Sequence, residues 1–192
     1  IICEKVKKSD FDEVYIDTDS KKVKEYAIKN NFNIINRLDY LSKNDANGND
    51  LLNYHLKIIK SDLYFQIFVT APLMSVKTIN ACIKVLKTKK KYDSICTVNK
   101  LYTWFWFDNK PINYKPRLLP RSQDAKPIIK ETTGIYGIRK EALKKYKCRI
   151  GKKPFFFEVP QEESIDVDNN FDLKILRLYA KKYLSSSKYK RT

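Results

Sequence analysis

At 192 residues the chain is long enough for one domain with a substantial core and too short for two of ordinary size. Its hydrophobic fraction of 43% is that of a globular protein, and no apolar run reaches the length that spans a bilayer, so a membrane-crossing helix is not expected. The excess of 39 Lys and Arg over 22 Asp and Glu gives a formal net charge of +17, which admits a polyanion, an anionic surface or a phosphorylated small substrate.

The texture of that charge narrows the choice. Most of the cations are Lys, and Lys, Asn, Ile and Tyr are abundant together, as biased base composition of the coding DNA would produce without selection for binding. Lys89-Lys90-Lys91 and Lys188-Tyr189-Lys190-Arg191 therefore read as solvated helix ends. Trp104 and Trp106 could stack bases, but the basic residues are dispersed and no RNA or DNA motif is present, so nucleic acid is a disfavoured partner. Cys3, Cys82, Cys96 and Cys148 form no close pair, which points away from zinc and toward a reducing cytoplasm. Ile1-Ile2-Cys3-Glu4-Lys5 has no signal-peptide pattern. His55 lies within an apolar helical pattern and reads as structural.

In chain order, short apolar runs alternate with amphipathic stretches, the mark of a layered α/β domain. Glu13 to Asp17 predicts a strand, and Asp19-Ser20 caps a helix carrying Val23, Tyr26 and Ala27 at helical spacing. Phe32 to Asn36 predicts a second strand. Asn47-Gly48-Asn49-Asp50 forms a turn and cap before a helical face of Leu51, Leu52, Leu56 and Ile59. Leu63 to Val69 is nearly continuous in apolar and aromatic residues, which predicts a central strand buried on both faces of a parallel sheet. After Thr70-Ala71-Pro72-Leu73, a helix from Ser75 with Ile79, Ile83 and Leu86 inward leads to a strand at Ser94 to Val98.

Tyr102 to Gln123, rich in aromatics and proline, breaks the alternation; residues 102–123 read as an irregular extension, either a flap or a dimerisation arm. Regularity returns with a strand at Gly134 to Ile138, a helix at Lys140 to Lys147, a strand at Phe155 to Val159 and a last helix at Phe171 to Leu184. Residues 1–192 read as a single domain.

Between the last strand and the last helix stands Ser164-Ile165-Asp166-Val167-Asp168. If extended, it projects Asp166 and Asp168 to the same side, close enough to share one divalent cation. Magnesium completes its shell with water and phosphate oxygens, so two carboxylates in a basic protein point to a nucleotide phosphate site. The plainer alternative is that Asp168 caps the helix that follows.

The order of the pieces resembles the acylneuraminate cytidylyltransferase family, whose members make CMP-activated sialic acids and related sugars. The resemblance runs from Phe11-Asp12-Glu13-Val14-Tyr15-Ile16-Asp17-Thr18-Asp19-Ser20 through Asn36-Arg37 and Thr70-Ala71-Pro72-Leu73. It continues at Pro120-Arg121-Ser122-Gln123-Asp124 and Thr133-Gly134-Ile135-Tyr136, and ends at Ser164-Ile165-Asp166-Val167-Asp168. It implies an α/β fold, a three-layer Rossmann-like sandwich of the nucleotide-diphospho-sugar transferase type with a mostly parallel sheet. It also implies transfer of CMP from CTP to a nine-carbon or related keto-sugar acid, with Mg²⁺ as cofactor, in a homodimer.

Carried over residue by residue, Asp166 and Asp168 would hold the metal, and Arg121 would join them in catalysis by pairing with the sugar carboxylate or a phosphate. Arg37, Asn47, Asn49, Thr70, Gln123, Asp124, Lys130 and Thr132 would bind substrate.

Departures from the family pattern are equally plain. Phe68, Val69, Ala71 and Met74 stand where the family often has Gln, Pro, Ser and Arg, and Lys130-Glu131-Thr132 replaces Arg-Pro-Asn. Family members open with a strand and a Gly-rich basic loop that holds the CTP phosphates, and nothing in this sequence matches it. The expectation is that residues lie upstream of Ile1 or that the chain alone binds CTP poorly. An interior strand missing from the sheet should also leave unpaired backbone groups and an exposed apolar slot.

Overall fold

The structure is a computed structural model, and it describes residues 2–185; Lys188 to Arg191 lie outside the described residues. Helix α1 (Ile2–Lys7) leads to β1 (Tyr15–Thr18), α2 (Lys21–Lys29) and β2 (Asn33–Asn36). Next come α3 (Gly48–Ile58), β3 (Leu63–Ile67), α4 (Val76–Thr88) and β4 (Ser94–Leu101). A small hairpin of β5 (Trp106–Phe107) and β6 (Lys110–Pro111) precedes β7 (Ile128–Arg139), α5 (Lys140–Tyr146), β8 (Pro154–Glu158) and α6 (Asn170–Ser185).

Two predicted caps are present as hydrogen bonds. Asn47 accepts from the Asn49 amide while Asp50 accepts from the Asn47 amide, and the Ser75 hydroxyl accepts from the Thr78 amide. Each such cap contributes about 1 kcal/mol, enough to set where a helix of this length begins.

The main sheet has the order β3-β7-β4-β8. In it β3, β4 and β8 run in one direction and β7 runs against both of its neighbours. The sheet is therefore mixed: three of its four strands share one direction, and β7 is the exception to the expected parallel arrangement. That strand is also longer than the predicted Gly134 to Ile138, because its first part, Ile128 to Glu131, still pairs with Val98 to Leu101 of β4.

Strand alternation sorts side chains into two cores. Ile95 and Ile135 face α1 and α4, where Ile2, Ile79, Cys82, Ile83 and Leu86 pack. Tyr64 and Ile138 face α3 and α5, against Leu52, Ala142 and Leu143. Helices thus cover both faces, giving the expected three layers. Burial pushes the thiols of Cys82 and Cys96 up to about 12, so neither is a ready nucleophile. Gly137 marks a close crossing: a Cβ there would lie 2.4 Å from the Phe65 ring and 2.8 Å from Ile95.

A second, separate sheet contains only β1 and β2, paired in parallel. Among the described residues β1 pairs only with β2 and β3 only with β7, so each has an edge with no strand on it. The two strands border one groove of about 890 Å³, lined by Phe11 to Thr18 on one side and Leu63 to Val69 on the other. Leu63 to Ile67 is thus an edge of its sheet, which corrects its reading as a central strand. Its apolar side chains are explained by the groove it walls. No described helix is long and apolar enough to cross a membrane.

Candidate active site

The acidic segment is anchored on both sides. After a short 3₁₀ turn at Gln161–Ser164, the Val167 amide donates to the Thr70 carbonyl at 2.8 Å, and the Thr133 hydroxyl donates to Asp166 Oδ2. These bonds tie the segment to the loop after β3 and to β7. The segment is not a strand among the described residues, so the shared side expected for the two carboxylates does not arise from sheet alternation.

The β7 side of this anchor is an irregularity in the sheet. Cys96 pairs with Tyr136, but Val98 pairs with Glu131, so four residues of β7 bulge opposite Thr97 alone. Thr97 repairs the broken ladder: its Oγ1 accepts from the Ile135 amide at 3.1 Å, and the Thr132 hydroxyl meets it at 2.8 Å. Within the bulge Thr133 has φ 54°, a left-handed conformation unfavourable for a β-branched residue. That conformation turns its hydroxyl onto Asp166, which fits the tendency of strained backbone to collect at working sites.

The two carboxylates differ. Asp166 Oδ1 is buried and has no hydrogen-bond partner, a costly state for a carboxylate oxygen unless something outside the protein meets it. Asp168 is exposed. It does not cap α6: that role falls to Asn169, whose side chain accepts from the amides of Phe171 and Asp172, while Asp172 accepts from the amides of Asp168 and Asn169. The Asp168 carboxylate is therefore available. Among the described residues no group of three or more His, Cys, Asp or Glu side chains could hold a metal.

The loop from Phe68 to Met74 is held from below. Glu163, buried, accepts from the Ser75 amide, and Lys5 donates to the Pro72 carbonyl. Burial lowers the Lys5 pKa, with the nearby Glu163 pulling the other way.

Of the other residues singled out from sequence, Thr70 touches the acidic segment through its carbonyl, and most of the rest bond to other partners. Arg121 pairs with Asp124 at 2.7 Å with 74% of its side chain exposed, and Gln123 is exposed on the same short turn. Arg37 is bound at 2.8 Å to Asp17, which also meets His55 at 2.8 Å. Asn47 spends its side chain on the α3 cap, and Asn49 accepts from the Arg149 amide. Thr70 takes part through its carbonyl, Lys130 is exposed on β7, and Thr132 is buried with its hydroxyl on Thr97.

One residue that sequence reasoning passed over is Arg149, in the loop between α5 and β8. Its guanidinium lies 3.7 Å from the centre of the Tyr136 ring and 5.6 Å from that of Phe68. Tyr136 is 2% exposed and donates its hydroxyl to Glu131 at 2.6 Å. Burial and that bond raise the Tyr136 pKa, with Arg149 opposing them. Only a stack between residues distant in sequence marks Arg149.

Comparison with known proteins bears on both fold and chemistry. The sequence profile of the family described as cytidylyltransferase matches residues 1–187. No curated protein sequence matches the chain significantly. Among solved structures, a CMP:2-keto-3-deoxy-manno-octonic acid synthetase complexed with CTP superposes with a TM-score of 0.68 at 16% identity, covering 95% of this chain and 86% of the other. A 4-diphosphocytidyl-2C-methyl-D-erythritol synthase from Anaerococcus prevotii gives 0.67 at 13% identity, covering 93% and 83%. A cytidylyltransferase from Leptospira borgpetersenii gives 0.56 at 18%, covering 95% and 74%. At these identities the superpositions speak for the fold.

Proposed function

The chain belongs to the cytidylyltransferase family, and from that premise we propose that it transfers CMP from CTP to a sialic-acid-like or related keto-sugar acid. The anomeric hydroxyl oxygen forms a bond to the α-phosphorus and gives up its proton to solvent, the bond from that phosphorus to the bridging oxygen breaks, and pyrophosphate leaves with the electron pair. The observation that carries this reading is the buried, unpartnered Oδ1 of Asp166, whose segment is tied down by Thr133 and by the Val167–Thr70 bond.

Asp166 and Asp168 would hold Mg²⁺, which when bound neutralises charge on the phosphate oxygens. This chain's own part is placement. Thr133 orients Asp166, and the loop from Phe68 to Met74 forms the floor beneath the acids. Alignment and fixed charges account for most of the catalysis of such transfers, so a site with no nucleophilic side chain is chemically sufficient. The test is release of pyrophosphate from CTP dependent on 2-keto-3-deoxy-manno-octonic acid or N-acetylneuraminic acid. Release that does not depend on the sugar acid, or none with any keto-sugar acid, would defeat the proposal.

The groove between β1 and β3 favours a second reading: a protein of this fold that retains acceptor binding without nucleotide transfer. Calorimetry showing heat with the sugar acids and none with CTP would select it. A homodimer belongs to the first reading, with residues 102–123 as its arm, since Trp106, Phe107, Leu118 and Leu119 there are 57%, 74%, 75% and 59% exposed. Light scattering should give twice the mass of one chain; a single species at the monomer mass removes the arm. Four free thiols fit the reducing cytoplasm where CTP is made available.

A further inference from the structure

We infer that Arg149 reads the end of the acceptor remote from its reacting carbon and favours hydroxyl or carboxylate oxygens there over the methyl end of an acyl group. The inference deepens the transfer reading above and rests on it.

Three observations carry it. First, among the described residues the Arg149 guanidinium has no carboxylate partner and no hydrogen bond; only its backbone amide is engaged, by Asn49. Second, the group is fixed in place. One face lies on Tyr136 at 3.7 Å, and its flank lies so close to Gly48 that a Cβ there would sit 2.9 Å from Nη1. Stacking occupies the face of a guanidinium and leaves its in-plane N–H groups unspent. Glu131, an acid at the stack, is already taken by the Tyr136 hydroxyl.

Third, its place along the strand assigns it to one end of a ligand. Tyr136 stands three residues beyond Thr133, the residue that holds Asp166, which is no more than about 10 Å of strand. In a keto-sugar acid the attacking hydroxyl and the carboxylate share one carbon, so both must lie on the phosphate side, near the acids. The sugar extends from there, and its far substituents are what reach Arg149. A donor-only group covered by an apolar methyl is left unsatisfied, whereas a hydroxyl or carboxylate oxygen accepts from it. Sites that hydrogen-bond a substrate group reject analogues lacking it far more strongly than apolar pockets reject an added one. Arg149 is half-buried, which reduces that preference to roughly tenfold or somewhat more.

The experiment compares kcat/KM for CMP transfer to N-acetylneuraminic acid and to its analogue with a hydroxyl in place of the N-acetyl group. The unmodified protein should prefer the hydroxyl acceptor by about tenfold. Arg149→Ala should bring the ratio close to one with KM for CTP unchanged, and Arg149→Lys, which keeps charge and loses the planar stack, should fall between. An unmoved ratio in Arg149→Ala overturns the inference while the transfer reading stands. Saturation-transfer NMR with the same two acids and no CTP separates the failures. An Arg149-dependent binding preference without pyrophosphate release upholds Arg149 and defeats transfer. Absence of binding by either acid defeats both.

Discussion

Asp166→Asn should lower pyrophosphate release by about a hundred- to a thousandfold, the scale on which single charge-stabilising groups act in transfer reactions, with little change in melting temperature. The substitution is close to isosteric, and the Thr133 hydroxyl that now donates to Asp166 Oδ2 can donate to the amide oxygen instead. What is lost is charge at Oδ1, the oxygen that is buried without a protein partner. If that oxygen met nothing in the working protein, removing its charge would relieve an unfavourable burial and stabilise the fold with no kinetic cost. The two accounts therefore predict opposite outcomes. Asp168→Asn should act in the same direction but less, because its carboxylate is exposed and lacks a neighbour to hold it. Raising Mg²⁺ should recover part of the Asp168→Asn loss and little of the Asp166→Asn loss. An Asp166→Asn enzyme with an unchanged rate would remove the acid pair from the mechanism.

The parts of this fold written in local sequence were the readable ones. Spacing of Ile79, Ile83 and Leu86 placed α4, and Asn47 and Ser75 marked helix starts because a cap is a bond between residues two or three apart. β7 was cut short because Lys130-Glu131-Thr132 interrupts the apolar run. Only its pairing with β4 across an irregular bulge reveals those residues as strand. Direction was likewise hidden, since nothing within Ile128 to Arg139 states which neighbours it will oppose.

Asp166 and Asp168 stand out in the sequence, whereas their different surroundings do not, because the Asp166–Thr133 and Val167–Thr70 contacts join residues far apart in sequence. Arg121 drew notice from its place in a motif, yet its side chain turns to Asp124. Arg149 drew none, because Tyr136 and Phe68 come to it from two other strands' segments.

Asp17→Ala should destabilise the fold by about 3 kcal/mol, toward the lower end of what is lost when one partner of a buried ion pair is removed. Asp17 lies on β1 with its side chain 13% exposed, accepting at 2.8 Å from Arg37 through one oxygen and meeting His55 at 2.8 Å through the other. It thereby joins β1 and β2 to α3, across a part of the molecule where β1 has one strand neighbour among the described residues and a groove on its other side. Burial alone would raise the Asp17 pKa. Hydrogen bonds from His55 and Arg37, with their charges, outweigh it and hold the carboxyl below its ordinary value. A carboxyl depressed in the folded state adds stability that is complete above its unfolded value, near 4, and is lost as pH falls through the lower folded value. Urea midpoints measured downward from pH 6 should therefore decline below about pH 4 in the unmodified protein. In Asp17→Ala the same decline should be shallower, starting from a lower plateau. Parallel pH profiles for the two proteins would show that Asp17 is not the group that couples this sheet to acid.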